Sequence, residues 1–200
     1  MAASLKYYVI YKPFGMLSQF SREHETHITL ADLEYTFEKD VYPVGRLDKD
    51  SEGLLILTND KRLTDALLNP KNKHWRSYWV QVDNIPTPEA IQQLQQGVDI
   101  KINKKIHRTA KAKATLLKEV PNLPERNPPV RFRKEIPTAW VNISLIEGKN
   151  RQVRRMTAKV GFPTLRLVRH QIVNLPLKDK IPGSVTAYTK EELYPLLGLK

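Results

Sequence analysis

The sequence predicts an α+β fold, and three observations predict it. Several apolar runs have the length of strands, one segment alternates at period two, and the few helical segments carry their own start and stop residues without alternating strictly with the strands. In order, Tyr8-Val9-Ile10-Tyr11 reads as an opening strand stopped by Lys12-Pro13-Phe14-Gly15. Leu54, Leu55, Ile56 and Leu57, bounded by Gly53 and by Asn59-Asp60, read as a core strand. A helix over residues 60–69 ends at Pro70, because proline cannot continue it. Tyr78-Trp79-Val80-Gln81-Val82 alternates as a half-buried strand should. Thr87-Pro88-Glu89 supplies an N-cap with proline at the first helical position, and Gly97 closes that helix. Residues 109–118 and 138–146 read as further strands. Val153, Met156 and Val160 then make the i, i+3, i+7 stripe of a helix closed by Gly161, with Pro163 beyond. Thr189 with Glu192 forms a capping box for a C-terminal helix. No internal repeat is present.

Two hundred residues, 40% of them hydrophobic, are enough for one good core in a single domain of two lobes. The absence of cysteine excludes disulfides, thiolate metal sites and cysteine nucleophiles, and fits a reducing compartment. The opening MAASLKYYVIYKPFG lacks an apolar stretch followed by a small-residue cleavage site, and no run approaches the roughly 18 residues of a membrane span. A cytoplasmic protein with no membrane partner is expected. Net charge is +12, and the excess is local: residues 101–171 hold 18 basic and 4 acidic side chains, leaving 15 and 17 elsewhere. A field so concentrated suits a polyphosphate backbone. Within it, residues 120–137 carry five of the fourteen prolines, interleaved with Arg126, Arg131, Arg133 and Lys134. This stretch reads as a stiffened surface loop, either a connection between lobes or a basic arm that grips phosphates.

The most informative stretch is GRLDKDSEGLLILTND, residues 45–60, where a polar loop carrying Arg46, Asp48, Asp50 and Glu52 precedes the core strand. Its plainest reading is a solvated charged turn. A calcium loop would use Asp48, Asp50 and Glu52 with Gly53, but the residue at the twelfth position is Asn59, not a bidentate glutamate, and the following segment is strand-like. The third reading is a catalytic aspartate with arginine neighbours on a rigid edge. His24, His27, His74, His107 and His170 are scattered, so no metal cluster is expected. No two glycines make a GxG pair, so no dinucleotide or S-adenosylmethionine loop is visible.

A second constellation is LIEGKNRQVRRMTAKVGFPTLRLVR, residues 145–169, in which the apolar stripe of the helix is opposed by Arg151, Arg154, Arg155 and Lys159. Alone it is a cationic amphipathic helix over a sheet. Together with GRLDKDSEGLLILTND and RSYWVQV, however, it resembles the ribosomal pseudouridine synthases, the branch of the small-subunit enzyme A and the large-subunit enzymes B, E and F. The likeness covers nearly the whole chain, including RNPPVRFRKEIPTAW at 126–140.

The resemblance implies a mixed, mostly antiparallel sheet with flanking helices around a central catalytic cleft, without the N-terminal S4-like domain that several members carry. It implies isomerisation of a uridine in large-subunit ribosomal RNA to pseudouridine, with no cofactor and no metal. Asp48 matches the catalytic aspartate, which attacks the nucleotide or removes a ribose proton. Arg154 matches the basic residue that stands as its counter-charge, and Tyr78 the tyrosine that stacks on the target base, although a lone strand tyrosine would read as core. Arg46 resembles the arginine that fills the space left when the base leaves the stack. Lys12 and Gly15 match the opening KPxG motif and shape the pocket floor. Leu165 or Leu167 packs beneath the tyrosine, with Leu167 the expected substrate-site residue. Arg151, Arg155, Arg131, Arg133 and Lys134 are the expected RNA contacts, and a monomer is the default. The rivals are a basic, non-catalytic RNA chaperone or assembly protein, indifferent to Asp48→Asn, and a nuclease holding metal on Asp48, Asp50 and Glu52, sensitive to chelators.

Overall fold

The computed structural model describes residues 4–131 and 135–200. In chain order its main elements are β1 (Tyr7–Lys12), β2 (Tyr42–Pro43), β3 (Glu52–Thr58), α1 (Lys61–Leu68), β4 (Arg76–Asp83), α2 (Pro88–Gln96), β5 (Asp99–Ile102), β6 (Lys105–Arg108), β7 (Lys113–Leu116), β8 (Thr138–Leu145), α3 (Gln152–Lys159), β9 (Thr164–Ile172), β10 (Leu175–Pro176), β11 (Val185–Tyr188) and α4 (Lys190–Leu196). Strands dominate and helices intervene irregularly, so the class is α+β. The chain forms two compact units, Met1–Lys73 with Arg169–Lys200, and His74–Val168.

In the first unit β1 is flanked by antiparallel β3 (Tyr7↔Thr58 through Lys12↔Gly53) and antiparallel β11 (Tyr7↔Tyr188 through Ile10↔Val185). Every residue of β1 and β3 is buried, which is why both read as continuous apolar runs rather than alternating ones. One face packs Tyr8, Ile10, Leu55 and Leu57 on Met16, Leu30, Leu33 and Val41. Asp60 then caps α1, accepting from the Arg62 amide at 2.9 Å, while its other oxygen accepts from the hydroxyls of Tyr7 and Tyr194, each at 2.8 Å. That buried carboxylate fastens the opening strand, α1 and the C-terminal helix to one point. The Thr189–Glu192 capping box starts α4 as expected.

In the second unit β4 pairs antiparallel with β8 (Arg76↔Leu145 through Asp83↔Thr138), and β8 with β7 (Lys113↔Ser144 through Leu116↔Val141). Tyr78, Val80 and Val82 face inward, matching the period-two pattern. Thr87 caps α2 through the Ala90 amide, and Gly97, at φ +85°, ends it. An unforeseen hairpin, β5–β6, turns at Asn103 and Lys104, both at positive φ, as a two-residue primed turn requires.

Two expectations need correction. The strand foreseen over 109–118 shrinks to β7, because the amides of Thr109, Ala110 and Ala112 bond instead to the Val98 carbonyl (3.0 Å), the Glu147 carboxylate (2.8 Å) and the Gln95 carbonyl (3.1 Å). The proline-rich stretch is not a connection between units: it leaves β7 and enters β8, both in the second unit. Arg166 donates to its Pro124 carbonyl at 3.0 Å, and Arg126 to Pro128 and Pro129 within the loop. Among the described residues no helix is long and apolar enough to cross a membrane.

Candidate active site

The Asp48 segment owes its shape to local hydrogen bonds before any charge is considered. The Ser51 amide donates to the Asp48 carbonyl at 3.0 Å, closing a tight turn over Asp48-Lys49-Asp50-Ser51. The Gly15 amide donates to the Lys49 carbonyl at 2.8 Å, so the KPxG segment braces the turn from one side. On the other side the Ser18 hydroxyl donates to the Leu47 carbonyl at 2.9 Å and accepts from the Leu47 amide at 3.0 Å. With Leu47 buried and its polar groups satisfied, Arg46 is left exposed and Asp48 half-buried, on a backbone held from three directions.

Lys12 lies at the end of β1, opposite Gly53, with no exposed surface. Its ammonium donates to the carbonyls of Met16 (2.7 Å) and Pro13 (2.9 Å), holding the KPFG turn closed. Burial pushes its pKa down to about 7, against the opposing pull of Glu52, Asp50 and Asp48. Arg169, also buried, donates from Nε to the Leu54 carbonyl at 2.8 Å. Gly53, at φ +106°, lies so close to the Arg169 backbone that a β-carbon there would stand 2.3 Å from its carbonyl oxygen. The Asp48 turn thus feeds directly into a strand with no room beside it. Arg169 and Ser18 were not singled out by sequence reasoning. Arg169 stood inside a quoted motif, whereas nothing in the sequence marks Ser18.

The basic constellation lies in the second unit. Glu147 accepts from the Ala110 amide (2.8 Å) and from Gln152 Nε2 (2.6 Å), with His107 Nε2 at 3.3 Å. Gln152, buried, also accepts from the Lys149 amide at 2.9 Å. These bonds build the corner between β8 and α3. Arg151 occupies the N-cap in left-handed conformation, exposed and without a side-chain cap bond. Arg154 is half-buried on α3, and Arg155 donates to the Lys101 carbonyl and to Asn150 Oδ1. Glu147 and Gln152 are the positioning residues that sequence reasoning missed, although both stand inside the quoted motif.

Tyr78 is buried on β4, opposite Ile143, and on β9 Leu167 is buried while Leu165 is half-buried. Arg131 is exposed in the proline-rich loop; Arg133 and Lys134 lie outside the described residues. The candidates therefore divide: Lys12, Gly15, Arg46 and Asp48 belong to the first unit, and Tyr78, Arg131, Arg151, Arg154, Arg155 and Leu167 to the second.

The chain is similar to several known proteins. The profile of a family described as RNA pseudouridylate synthase matches residues 6–159. The ribosomal large subunit pseudouridine synthase E of Vibrio parahaemolyticus is 49% identical over 178 residues, spanning 89% of this chain and 71% of that protein. The protein of the same name from Xanthomonas axonopodis pv. citri is 47% identical, spanning 88% of this chain and 90% of its own length. The ribosomal large subunit pseudouridine synthase B of Bacillus subtilis is 31% identical over 96% of this chain and 72% of that protein. Among solved structures, a pseudouridylate synthase crystal structure aligns with 96% of this chain and 74% of its own at a TM-score of 0.76 and 22% identity, a likeness of fold.

Proposed function

The chain belongs to the RNA pseudouridylate synthase family, and from that premise we propose that it isomerises one uridine of large-subunit ribosomal RNA to pseudouridine through Asp48. The glycosidic C1′–N1 bond breaks, the uracil turns, and C5 bonds to C1′; the hydrogen on C5 leaves as a proton and N1 gains one. Substrate and product are isomers, so no electron acceptor, group donor or hydrolytic water is consumed, and the reading takes the reaction as cofactor-free. It takes the whole chain as one catalytic domain, monomeric and cytoplasmic.

The observation that carries the reading is the braced Asp48 turn, a half-buried carboxylate on a backbone tied by Gly15 and Ser18 and continuous with a fully buried strand. A group that must reach one atom of an extruded nucleotide needs such fixity. Asp48 initiates the reaction, at C6 of the base or at a ribose proton. Arg154 is its counter-charge, Tyr78 stacks on the base over Leu167, and Arg46 fills the vacated position in the RNA. Lys12 and Gly15 hold the floor. Arg151, Arg155, Arg131, Arg133 and Lys134 meet phosphates, consistent with the charge excess of residues 101–171.

The test is release of tritium from C5-labelled uridine in deproteinised large- and small-subunit ribosomal RNA, with chelator and no cofactor. Wild type should release it from the large-subunit RNA alone, and Asp48→Asn should release none while still binding. Binding by both proteins without release from either RNA would leave a non-catalytic RNA-binding protein, and activity lost to the chelator would leave a metal enzyme.

A further inference from the structure

Lined in part by Gly45 and Arg46, which precede Asp48 in the chain, the first unit opens a cavity of about 920 Å³, at the upper end of the size range of ligand pockets. Its lining includes the aromatic rings of Phe20, Tyr35, Phe37 and Tyr42. Phe20 and Tyr35 each pack against Phe37, at ring-centroid distances of 5.4 and 4.8 Å, and Tyr42 on the two-residue β2 adds a ring that is 64% exposed. Tyr35 is 39% exposed, so both tyrosines offer π surface to the solvent side. Charge is distributed unequally along the lining. The one acid of the wall, Glu38, is already engaged by the Tyr8 hydroxyl (2.7 Å) and the Lys6 ammonium (3.1 Å), while Arg46 and Lys39 contribute exposed cations.

We propose that this cavity receives an unstacked nucleotide of the same RNA strand, flanking the target uridine, with its base against Tyr42 and Tyr35 and its phosphate at Lys39. The proposal rests on the isomerase reading and names a further part of its substrate site. An aromatic wall with adjacent cations matches the two chemical features of a single-stranded nucleotide, a π face on every base and an anion on every link. Ser18, itself part of the lining, holds Leu47 by both backbone groups, so one side chain ties the pocket wall to the residue next to Asp48. Filling the pocket therefore fixes the strand one step from the reacting nucleotide, and extrusion of the target base is assisted by capture of its neighbour.

The experiment pairs two readouts on wild type, Tyr42→Ala, Tyr42→Phe and Tyr35→Ala. Fluorescence anisotropy with a labelled single-stranded RNA of about a dozen nucleotides measures affinity without turnover; tritium release from large-subunit RNA gives KM and kcat separately. Loss of one stacking partner should weaken affinity and raise KM roughly tenfold for Tyr42→Ala, with Tyr42→Phe restoring both because the ring is kept. Tyr42 is mostly exposed, so its truncation leaves the fold intact, and circular dichroism checks this. Affinity within twofold of wild type for both alanine variants overturns the pocket proposal. Failure of wild type to release tritium sinks the isomerase reading instead, and the anisotropy series still decides whether the pocket binds RNA.

Discussion

Gly53→Ala probes the junction between the Asp48 turn and its supporting strand. The backbone there has φ +106°, and an added β-carbon would lie 2.3 Å from the Arg169 carbonyl oxygen, 2.7 Å from its nitrogen and 2.9 Å from its carbonyl carbon. All three are backbone atoms, so no side chain can swing aside to relieve the contact. A non-glycine residue in such a conformation costs about 1–3 kcal/mol, and overpacking a filled interior about as much again. The sum, roughly 4 kcal/mol, is a large part of a typical stability of about 5–15 kcal/mol and corresponds to a melting temperature lower by about 8–16 °C. Gly161→Ala is the internal control: it has φ +92° but meets nothing within 4 Å, so it carries only the backbone share. Urea denaturation of wild type and both variants, followed by far-ultraviolet circular dichroism, separates the two contributions. If Gly53→Ala proves no more destabilising than Gly161→Ala, the close approach to Arg169 does not constrain the junction and the reasoning is wrong.

Three further outcomes are expected. Asp60→Asn should lose about 2–3 kcal/mol in the same denaturation assay, since hydrogen bonds to a charged acceptor are the strong ones. Burial pushes the Asp60 carboxyl up, yet the hydroxyls of Tyr194 and Tyr7 and the amides of Arg62 and Leu63 outweigh it and leave it below its ordinary value. Its contribution is therefore present above the ordinary carboxylate range and fades as pH falls through the lowered value, a slope that a pH series should find missing in the variant. For Lys12, lowered to about 7 by burial, the unfolded chain binds the extra proton between about pH 7 and its ordinary value. Stability should rise through that window by up to roughly 1.4 kcal/mol per pH unit in wild type relative to Lys12→Met, and parallel pH profiles would refute the lowering by burial. Glu147→Ala should free the Ala110 amide and Gln152, costing about 1–3 kcal/mol, and hydrogen exchange should quicken at Ala110 and in α3 before it does in β1.

The sequence alone determined the features whose causes are local. The apolar runs of β1 and β3, the alternation of β4, the Thr87 and Gly97 limits of α2 and the Thr189–Glu192 box are each written within about ten residues, because capping, turn chemistry and side-chain periodicity act over that range. The Asp48 loop was legible for the same reason, as charge set against a run that must be buried. What could not be read was whatever depends on a distant partner. The β5–β6 turn lacks the usual glycine, and β11 is a strand because Tyr7 stands opposite Tyr188, far away in the chain. Lysine is among the residues least often buried, so the burial of Lys12 follows only from the carbonyls of Pro13 and Met16 that receive it. Tertiary structure likewise decided what holds the catalytic candidate: Ser18 clamps Leu47 across 29 positions and Arg169 reaches Leu54 across 115. No local propensity encodes those bonds. They form because folding buries backbone groups that must find partners, and only the folded chain determines which side chains are within reach.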